Sequence, residues 1–323
     1  MTVGVLYDPV YLEHDTGDHV ENSGRLEAIM ELLEQSGLAQ QLTRIAPRQA
    51  TVEELCLVHT ERHVELVERA STGNGHWMDG DTFASPASYR VALYAAGALL
   101  SAADAIMAGE VERGFALVRP PGHHATANRA MGFCLFNNVA VAARYLMQKY
   151  GLSRVLIVDF DVHHGNGTEA IFYDDPAVMY FSTHQYPHYP GTGARRDDGV
   201  DAGKGYTLNV PLPAGTTDRE YKQAYEEELL PAARSFRPEF ILVSAGYDPH
   251  WADMLSGFQI TVGGFADVVG LIKQLADELC RGRLLLSLEG GYHLKALAHS
   301  VRASFEVLLG QQPGPDPLGD PRF

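Results

Sequence analysis

Short runs of aliphatic and β-branched residues alternate with helical patterns along most of this 323-residue chain. The runs are VGVLY (3–7), GFALV (114–118), RVLIVDF (154–160), VMYFS (178–182), YTLNV (206–210), FILVSAG (240–246) and RLLLSLEGG (283–291). Nearly continuous apolar strands separated by helices are typical of a parallel sheet that is covered on both faces. We therefore predict an α/β fold, a three-layer α/β/α sandwich with a mostly parallel central sheet.

Helical spacing of apolar residues predicts the helices between these strands. The predicted ranges are about 25–35, 88–108, 135–150, 217–236, 264–280 and 294–309. Because the alternation crosses the middle of the chain without a break, we predict a single domain over residues 1–310. The prolines and glycines of residues 311–323 indicate a loose C-terminal tail.

The charge balance limits the classes of partner. There are 25 basic and 41 acidic side chains, which give a net charge of -16. Such a protein repels nucleic acid and anionic membranes, so we expect neither as a partner, whereas a cationic substrate would be attracted.

Cysteine usage and hydropathy predict a cytoplasmic protein. Cys56, Cys134 and Cys280 are odd in number and widely spaced, which favours neither a disulfide framework nor a cysteine metal site. The N-terminus reads as a strand rather than a signal peptide. The apolar stretch Val91–Ala103 is too short to span a bilayer, and we expect a buried helix there.

Four polar clusters directly follow predicted strands. They are RPPGHHA (119–125), DVHHGNGT (161–168), GYDPHWAD (246–253) and GGYH (290–293). Active sites of open parallel sheets form outside the carboxyl ends of the strands, so we expect these four clusters to meet in one site.

Asp161 and His163 are two residues apart at a strand end, so their side chains can point to the same side and share a metal ion. Asp248, after a different strand, is a candidate third ligand, although by itself it could equally cap a helix. Two carboxylates and an imidazole suit zinc, with iron or cobalt as alternatives. Three protein ligands leave an open position for water, as a catalytic zinc site needs.

The remaining polar residues suggest acid–base chemistry. His123 and His124 could serve as the base for a metal-bound water and as the acid for a leaving amine. Asp159 is placed to orient one imidazole, and Asn166 could contact the other. Tyr292, after two glycines, could donate a hydrogen bond to a developing oxyanion.

These motifs, together with YPGTG (189–193), AGYDPHWADMLSGFQIT (245–261) and LEGGYHLKALA (288–298), resemble the histone deacetylase and deacetylase-like amidohydrolase superfamily. The resemblance is nearer to its class II and bacterial branch and extends to the acetylpolyamine amidohydrolases. It implies an arginase-like fold with about eight strands and one zinc ion on Asp161, His163 and Asp248. It also implies that His124 is the general base and acid, and that His123, paired with Asp159, acts electrostatically.

The same resemblance implies further sites. A narrow tunnel for the acyl-lysine stem would be lined by Gly132, Phe133, His188, Tyr189 and Leu255. Arg25 resembles a residue beside an inner cavity for acetate release. Structural potassium ions are implied around Asp159, Asp161, His163, Ser182 and Thr183, and around Phe172, Asp175, Val178 and Tyr206.

Three positions depart from the family pattern. HVENSGR (19–25) replaces HPENPER, so the entrance loop differs in shape. His188 stands where relatives often have an aromatic residue, which makes the tunnel wall more polar. Leu255 stands where polyamine-specific relatives can have a Glu.

The predicted function is therefore a zinc-dependent amidohydrolase that removes acetyl or similar acyl groups from lysine side chains of peptides or proteins. Alternatives are an acetylpolyamine deacetylase, a non-catalytic acyl-lysine binding protein, and a binuclear arginase-type enzyme. Gly165, where a further ligand would be needed, counts against the last. A homo-oligomer is expected only as the common default.

Overall fold

A parallel sheet lies at the centre of the computed structural model, which describes residues 2–321. The strands of the described residues are β1 (Val3–Leu6), β2 (Thr43–Arg44), β3 (His76–Trp77), β4 (Phe83–Ala84), β5 (Arg113–Ala116), β6 (Val155–Asp159), β7 (Val178–Gln185), β8 (Thr207–Leu212), β9 (Phe240–Ala245) and β10 (Leu284–Leu288). Strands β3 and β4 form a separate antiparallel hairpin, and the other eight form the sheet in the order β2-β1-β5-β10-β9-β6-β7-β8. All neighbours in this sheet are parallel, which confirms the predicted fold class.

Helices cover both faces of the sheet. They are α1 (Gly24–Gln35), α2 (Val52–Leu55), α3 (Glu61–Ala70), α4 (Ser88–Ala108), α5 (Asn138–Tyr150), α6 (Asn166–Phe172), α7 (Asp218–Ala224), α8 (Leu230–Phe236), α9 (Val262–Leu279) and α10 (Leu294–Leu308). Helices α1, α9 and α10 pack together as one layer, and α4 and α5 pack together in the other. The sandwich thus has the three predicted layers.

Helix boundaries differ from the predictions where a capping side chain decides them. The predicted start of helix α5 is residue 135, but the helix begins at Asn138 because the side chain of Asn137 accepts a hydrogen bond from the Ala140 amide at 3.1 Å. The predicted helix 217–236 begins with a capping box of Thr217 and Glu220. It is interrupted by a π-helical turn at Tyr225–Leu229, which apolar spacing does not reveal.

Helix α4 has the predicted bounds, residues 88–108. Its 21 residues and mean hydropathy would by length and composition allow a membrane span, so the shortness of Val91–Ala103 does not exclude one. Two-thirds (67%) of its most apolar window is nevertheless buried within the protein, as expected of a core helix in a three-layer fold.

The sheet brings the four polar clusters together. Strands β5, β10, β9 and β6 are consecutive neighbours, and each leads into one of the clusters at its carboxyl end. Residues 311–321 form no helix or strand and lie against the domain. There the Gly319 carbonyl accepts a hydrogen bond from Trp251 Nε1 at 3.0 Å, and Asp316 Oδ2 accepts one from the Val262 amide at 3.3 Å.

Two helical glycines provide a matched test of packing. A Cβ at Gly97 in α4 would lie 2.0 Å from the Arg48 carbonyl oxygen and 2.6 Å from the Ala50 nitrogen. Backbone atoms cannot move aside cheaply, so Gly97→Ala should lower the free energy of unfolding by roughly 1–3 kcal/mol. A Cβ at Gly270 in α9 would meet only Val307 Cγ1, at 3.9 Å. Gly270→Ala should therefore raise the free energy by up to about 1 kcal/mol.

Urea denaturation of the two variants and the wild-type protein measures both effects. Equal stability of the two variants would contradict the packing assigned to α4.

Candidate active site

Three potential ligand atoms converge at the carboxyl ends of β6 and β9. One atom from each of Asp161, His163 and Asp248 lies within 4.8 Å of the other two, and all three residues are buried. His163 Nδ1 lies 3.0 Å from Asp161 Oδ1 and 3.2 Å from Asp248 Oδ2. Among residues 2–321, these three residues form the single cluster of this kind.

The arrangement fits a bound cation. Backbone amides hold both carboxylates. Gly290 N donates to Asp161 Oδ2 at 2.8 Å, His163 N donates to Asp161 Oδ1 at 2.9 Å, and Val162 N donates to Asp248 Oδ1 at 3.0 Å. The other oxygen of Asp248 is buried and accepts no hydrogen bond from residues 2–321. Burial and the neighbouring Asp161 carboxylate raise the pKa of Asp248 to about 7. Two buried carboxylates that face one point, one of them with an oxygen that accepts no hydrogen bond, are stabilised by a cation between them.

Glycine is required beside these carboxylates. A Cβ at Gly290 would lie 2.2 Å from Asp248 Oδ2 and 2.6 Å from Asp161 Oδ2. A Cβ at Gly165 would lie 2.1 Å from Asp159 Oδ2. Gly165 therefore leaves no room for a further ligand, which counts against a binuclear centre.

His123 and His124 lie side by side, with ring centroids 4.0 Å apart, and they have different partners. His123 Nδ1 is 3.0 Å from Asp159 Oδ2, which also accepts a hydrogen bond from the Tyr180 hydroxyl at 3.0 Å. His124 Nδ1 is 2.8 Å from Asn166 Oδ1. Because an amide oxygen can only accept, His124 carries its proton on Nδ1, which leaves the lone pair on Nε2.

These partners give the two imidazoles opposite charge states. Burial alone would lower the pKa of His123, but the Asp159 and Asp161 carboxylates raise it to about 10. Burial, together with His123 and His163, lowers the pKa of His124 well below its usual value. At neutral pH the pair therefore contains one imidazolium and one neutral base.

The carboxylate of Asp253 positions Tyr292 by binding the backbone of its loop. Asp253 Oδ2 accepts hydrogen bonds from the amides of Tyr292 at 2.6 Å and His293 at 2.9 Å, and Asp253 Oδ1 accepts one from the Leu255 amide at 3.1 Å. One carboxylate thus connects the loop of the phenol to a wall of the cavity. Burial and Asp248 raise the pKa of Tyr292 well above its usual value, so the phenol stays protonated and can donate.

A buried ion cluster supports the loop of Tyr292 from beneath. Arg25 donates to the carbonyl oxygens of Gly291 at 2.7 Å and Glu289 at 2.5 Å, and to Glu21 Oε1 at 3.0 Å. Its guanidinium carbon lies 5.0 Å from the centre of the Tyr292 ring. Burial alone would raise the pKa of Glu21, but Arg119 and Arg25 lower it to about 2. Glu21 is therefore ionised and pairs with both guanidinium groups.

A cavity of about 430 Å³ is lined by His163, one of the three potential ligands, and by His123, His124 and Tyr292. All five predicted tunnel residues line it: Gly132, Phe133, His188, Tyr189 and Leu255. Three of these five residues are aromatic, and each packs against a residue of the site. The ring centroid of Phe133 is 5.9 Å from that of Tyr292, and that of Tyr189 is 5.2 Å from that of His124. The ring of His188 stacks on that of His163 at 5.0 Å. His188 Nε2 lies 2.9 Å from the Leu255 carbonyl oxygen and so joins two walls.

Sequence reasoning missed several residues of this site. Asp81 and Met254 line the cavity, and Asp253 and Glu289 hold its loops. Glu289 Oε2 accepts hydrogen bonds from the amides of Gly122, at 2.6 Å, and His123, at 3.2 Å. Asp253 and Glu289 lie inside the motifs ADMLSG and LEGGYH, so a buried carboxylate next to a candidate catalytic residue was the available signal. The potassium sites stay a prediction.

The comparisons with known proteins agree with this geometry. The family model described as histone deacetylase domain matches residues 19–308. A probable deacetylase of Archaeoglobus fulgidus is 39% identical over 91% of this chain and 82% of its own length. The chloroplastic histone deacetylase 14 of Arabidopsis thaliana is 42% identical over 93% of this chain and 75% of its own length.

One human relative and one solved structure extend the comparison. The human polyamine deacetylase HDAC10 is 42% identical over 94% of this chain, but the match spans only 46% of that protein. The crystal structure of the HDA15 HD domain superimposes with a TM-score of 0.91 at 40% identity, covering 98% of this chain and 90% of that one.

Proposed function

Because the chain belongs to the histone deacetylase family and is therefore a deacetylase, we propose that it uses one zinc ion to remove acyl groups from lysine side chains of peptides or proteins. The observation that carries the proposal is the buried Asp248 Oδ2, which accepts no hydrogen bond from residues 2–321 and lies 3.2 Å from Nδ1 of His163, a residue that lines the cavity. Cytoplasmic location and homo-oligomer formation stay predictions.

Asp161, His163 and Asp248 would hold the metal. Their donor set of two carboxylates and one imidazole suits zinc, and iron or cobalt are the alternatives. A zinc ion there supplies Lewis acidity for the amide carbonyl and lowers the pKa of a bound water.

The side chains of this protein supply the proton transfers. His124 offers the Nε2 lone pair to the attacking water, because its Nδ1 proton is engaged by Asn166. The protonated imidazole can then deliver that proton to the leaving lysine amine. His123 stays an imidazolium through Asp159 and stabilises negative charge in the transition state.

Tyr292 completes the stabilisation of charge. Its phenol lines the cavity in the protonated state, ready to donate to the oxyanion that develops on the amide oxygen. The apolar and aromatic walls, including Phe133 and Leu255, suit the uncharged methylene stem of an acylated lysine.

An acetylpolyamine is the second candidate substrate, and one observation favours it. The carboxyl group of Asp81 lies in the lining of the cavity, where it would attract a cationic amine. Leu255 counts against this candidate because it presents an apolar side chain, not a carboxylate, to the same cavity.

Replacement of Tyr292 tests the oxyanion role. Tyr292→Phe should lower kcat on an acetyl-lysine peptide by roughly 10²–10³-fold, because one donor to the oxyanion is lost. The matched control is Tyr186→Phe, since Tyr186 is 39% exposed and outside the cavity lining. Unchanged turnover of the Tyr292 variant, with metal content equal to wild type, would rule out the proposed role.

Substrate comparison tests the proposed class. We expect a higher kcat/KM for an acetyl-lysine peptide than for acetylated putrescine or acetylated spermidine, because Leu255 offers no charge to a polyamine. In Leu255→Glu, the ratio should shift toward the polyamines. A wild-type enzyme that prefers the polyamines would favour the second candidate, and no hydrolysis of any of them, with metal bound, would favour a binding protein.

A further inference from the structure

A second cavity, of about 440 Å³, shares no lining residue with the tunnel cavity. We name it the side groove. It is formed by α3, by the β3–β4 hairpin and by the segment 128–130. Its lining includes Leu66, Arg69, His76, Trp77, Met78 and Arg129. None of them belongs to the site described above.

The side groove contains exposed apolar surface. Trp77 is 60% exposed, although it packs against Phe83 with a centroid distance of 5.1 Å, and Leu66 is 38% exposed. Exposed large apolar residues that share one concave surface are typical of a binding site, and tryptophan is enriched among residues that dominate binding energy.

The charge of the side groove is opposite to that of the whole protein. The chain has a net charge of -16, yet Arg69 and Arg129 both line the groove, together with His76. The nearest carboxylate of Arg69 is Glu65, 3.6 Å away on the same helix. No residue between 2 and 321 forms an ion pair with Arg129. A carboxylate would therefore be complementary to this surface, and a cationic polyamine would be repelled.

Two short segments connect the lining of the side groove to the lining of the tunnel cavity. Arg129 precedes Gly132 by three residues, and Trp77 precedes Asp81 by four, and both Gly132 and Asp81 line the tunnel cavity. An extended chain covers at most about 3.6 Å per residue, so these pairs of Cα atoms are no more than about 11 and 14 Å apart. A peptide rises about 3.3 Å per residue, so roughly four residues reach from the tunnel to the groove.

We propose that the side groove binds an acidic segment of an acylated peptide substrate within about four residues of the acyl-lysine. A carboxylate of that segment lies between Arg69 and Arg129, and an apolar side chain packs on Trp77. The inference rests on the proposed peptide substrate, and it names a determinant of specificity that lies outside the tunnel.

Charge reversal tests the proposal. Three peptides carry one central acetyl-lysine and, two to four residues away on each side, Glu, Ala or Lys. The wild-type protein should show the highest kcat/KM for the Glu peptide and the lowest for the Lys peptide, with the difference mainly in KM. Partly exposed charge pairs have modest effects, so we expect roughly fivefold steps. The Arg69→Glu/Arg129→Glu variant should reverse the order.

Two controls separate the groove from the catalytic site. Arg62→Glu likewise replaces a positive by a negative side chain, at an exposed position of α3 that does not line the groove. This variant should rank the three peptides as the wild-type protein does. A single acetyl-lysine blocked at both ends is too short to reach the groove, so the double variant should hydrolyse it at the wild-type rate.

A binding measurement keeps the test independent of turnover. Fluorescence polarisation of the labelled Glu and Lys peptides should show tighter binding of the Glu peptide to wild type, and loss of that preference in the double variant. If neither peptide is hydrolysed but the wild-type protein still binds the Glu peptide more tightly, the proposed function is wrong and the side groove still binds an acidic segment. A wild-type protein without preference, or a preference that survives charge reversal, overturns the proposal.

Discussion

The structure depends on a concentration of buried negative charge at the carboxyl ends of β6 and β9. The carboxylates of Asp161 and Asp248 face His163, and one oxygen of Asp248 has no donor among residues 2–321. In an interior of low dielectric such an arrangement costs several kcal/mol unless a cation completes it. The surrounding loops can therefore be understood as the framework that holds these two carboxylates in place.

That framework is built from backbone groups held by buried ionisable side chains. Asp253 holds the amide of Tyr292, Glu289 holds the amide of His123, and Arg25 holds the carbonyl of Gly291. Each contact joins a segment that follows one strand to a segment from elsewhere in the chain. The chemistry of the site needs atoms placed to fractions of an ångström, and buried hydrogen bonds between these side chains and the backbone supply that precision.

Much of the fold and of the candidate site could be predicted because their signals are local. Apolar runs indicate the strands of the parallel sheet, except for β2, whose two residues, Thr43 and Arg44, are exposed and polar. The two-residue spacing of Asp161 and His163 placed them together, and the strand-end argument brought Asp248 to them. These features follow from periodicity and from the topology of parallel sheets, which a sequence displays directly.

The rest depends on contacts that no local pattern encodes. Arg25 donates hydrogen bonds to the carbonyl oxygens of two residues that lie 264 and 266 positions away in the sequence. Any residue offers a carbonyl oxygen, so no sequence pattern marks that partner. The side groove likewise exists only because Arg69 and Arg129, from separate segments, line one cavity.

A metal titration tests the central claim most directly. Zinc is added in steps to metal-stripped protein, and hydrolysis of an acetyl-lysine peptide is followed together with the metal content. If the three converging ligands hold the catalytic ion, activity rises with bound zinc and reaches its plateau at one ion per chain. Full activity in the stripped protein, or a plateau at two ions per chain, would contradict the account.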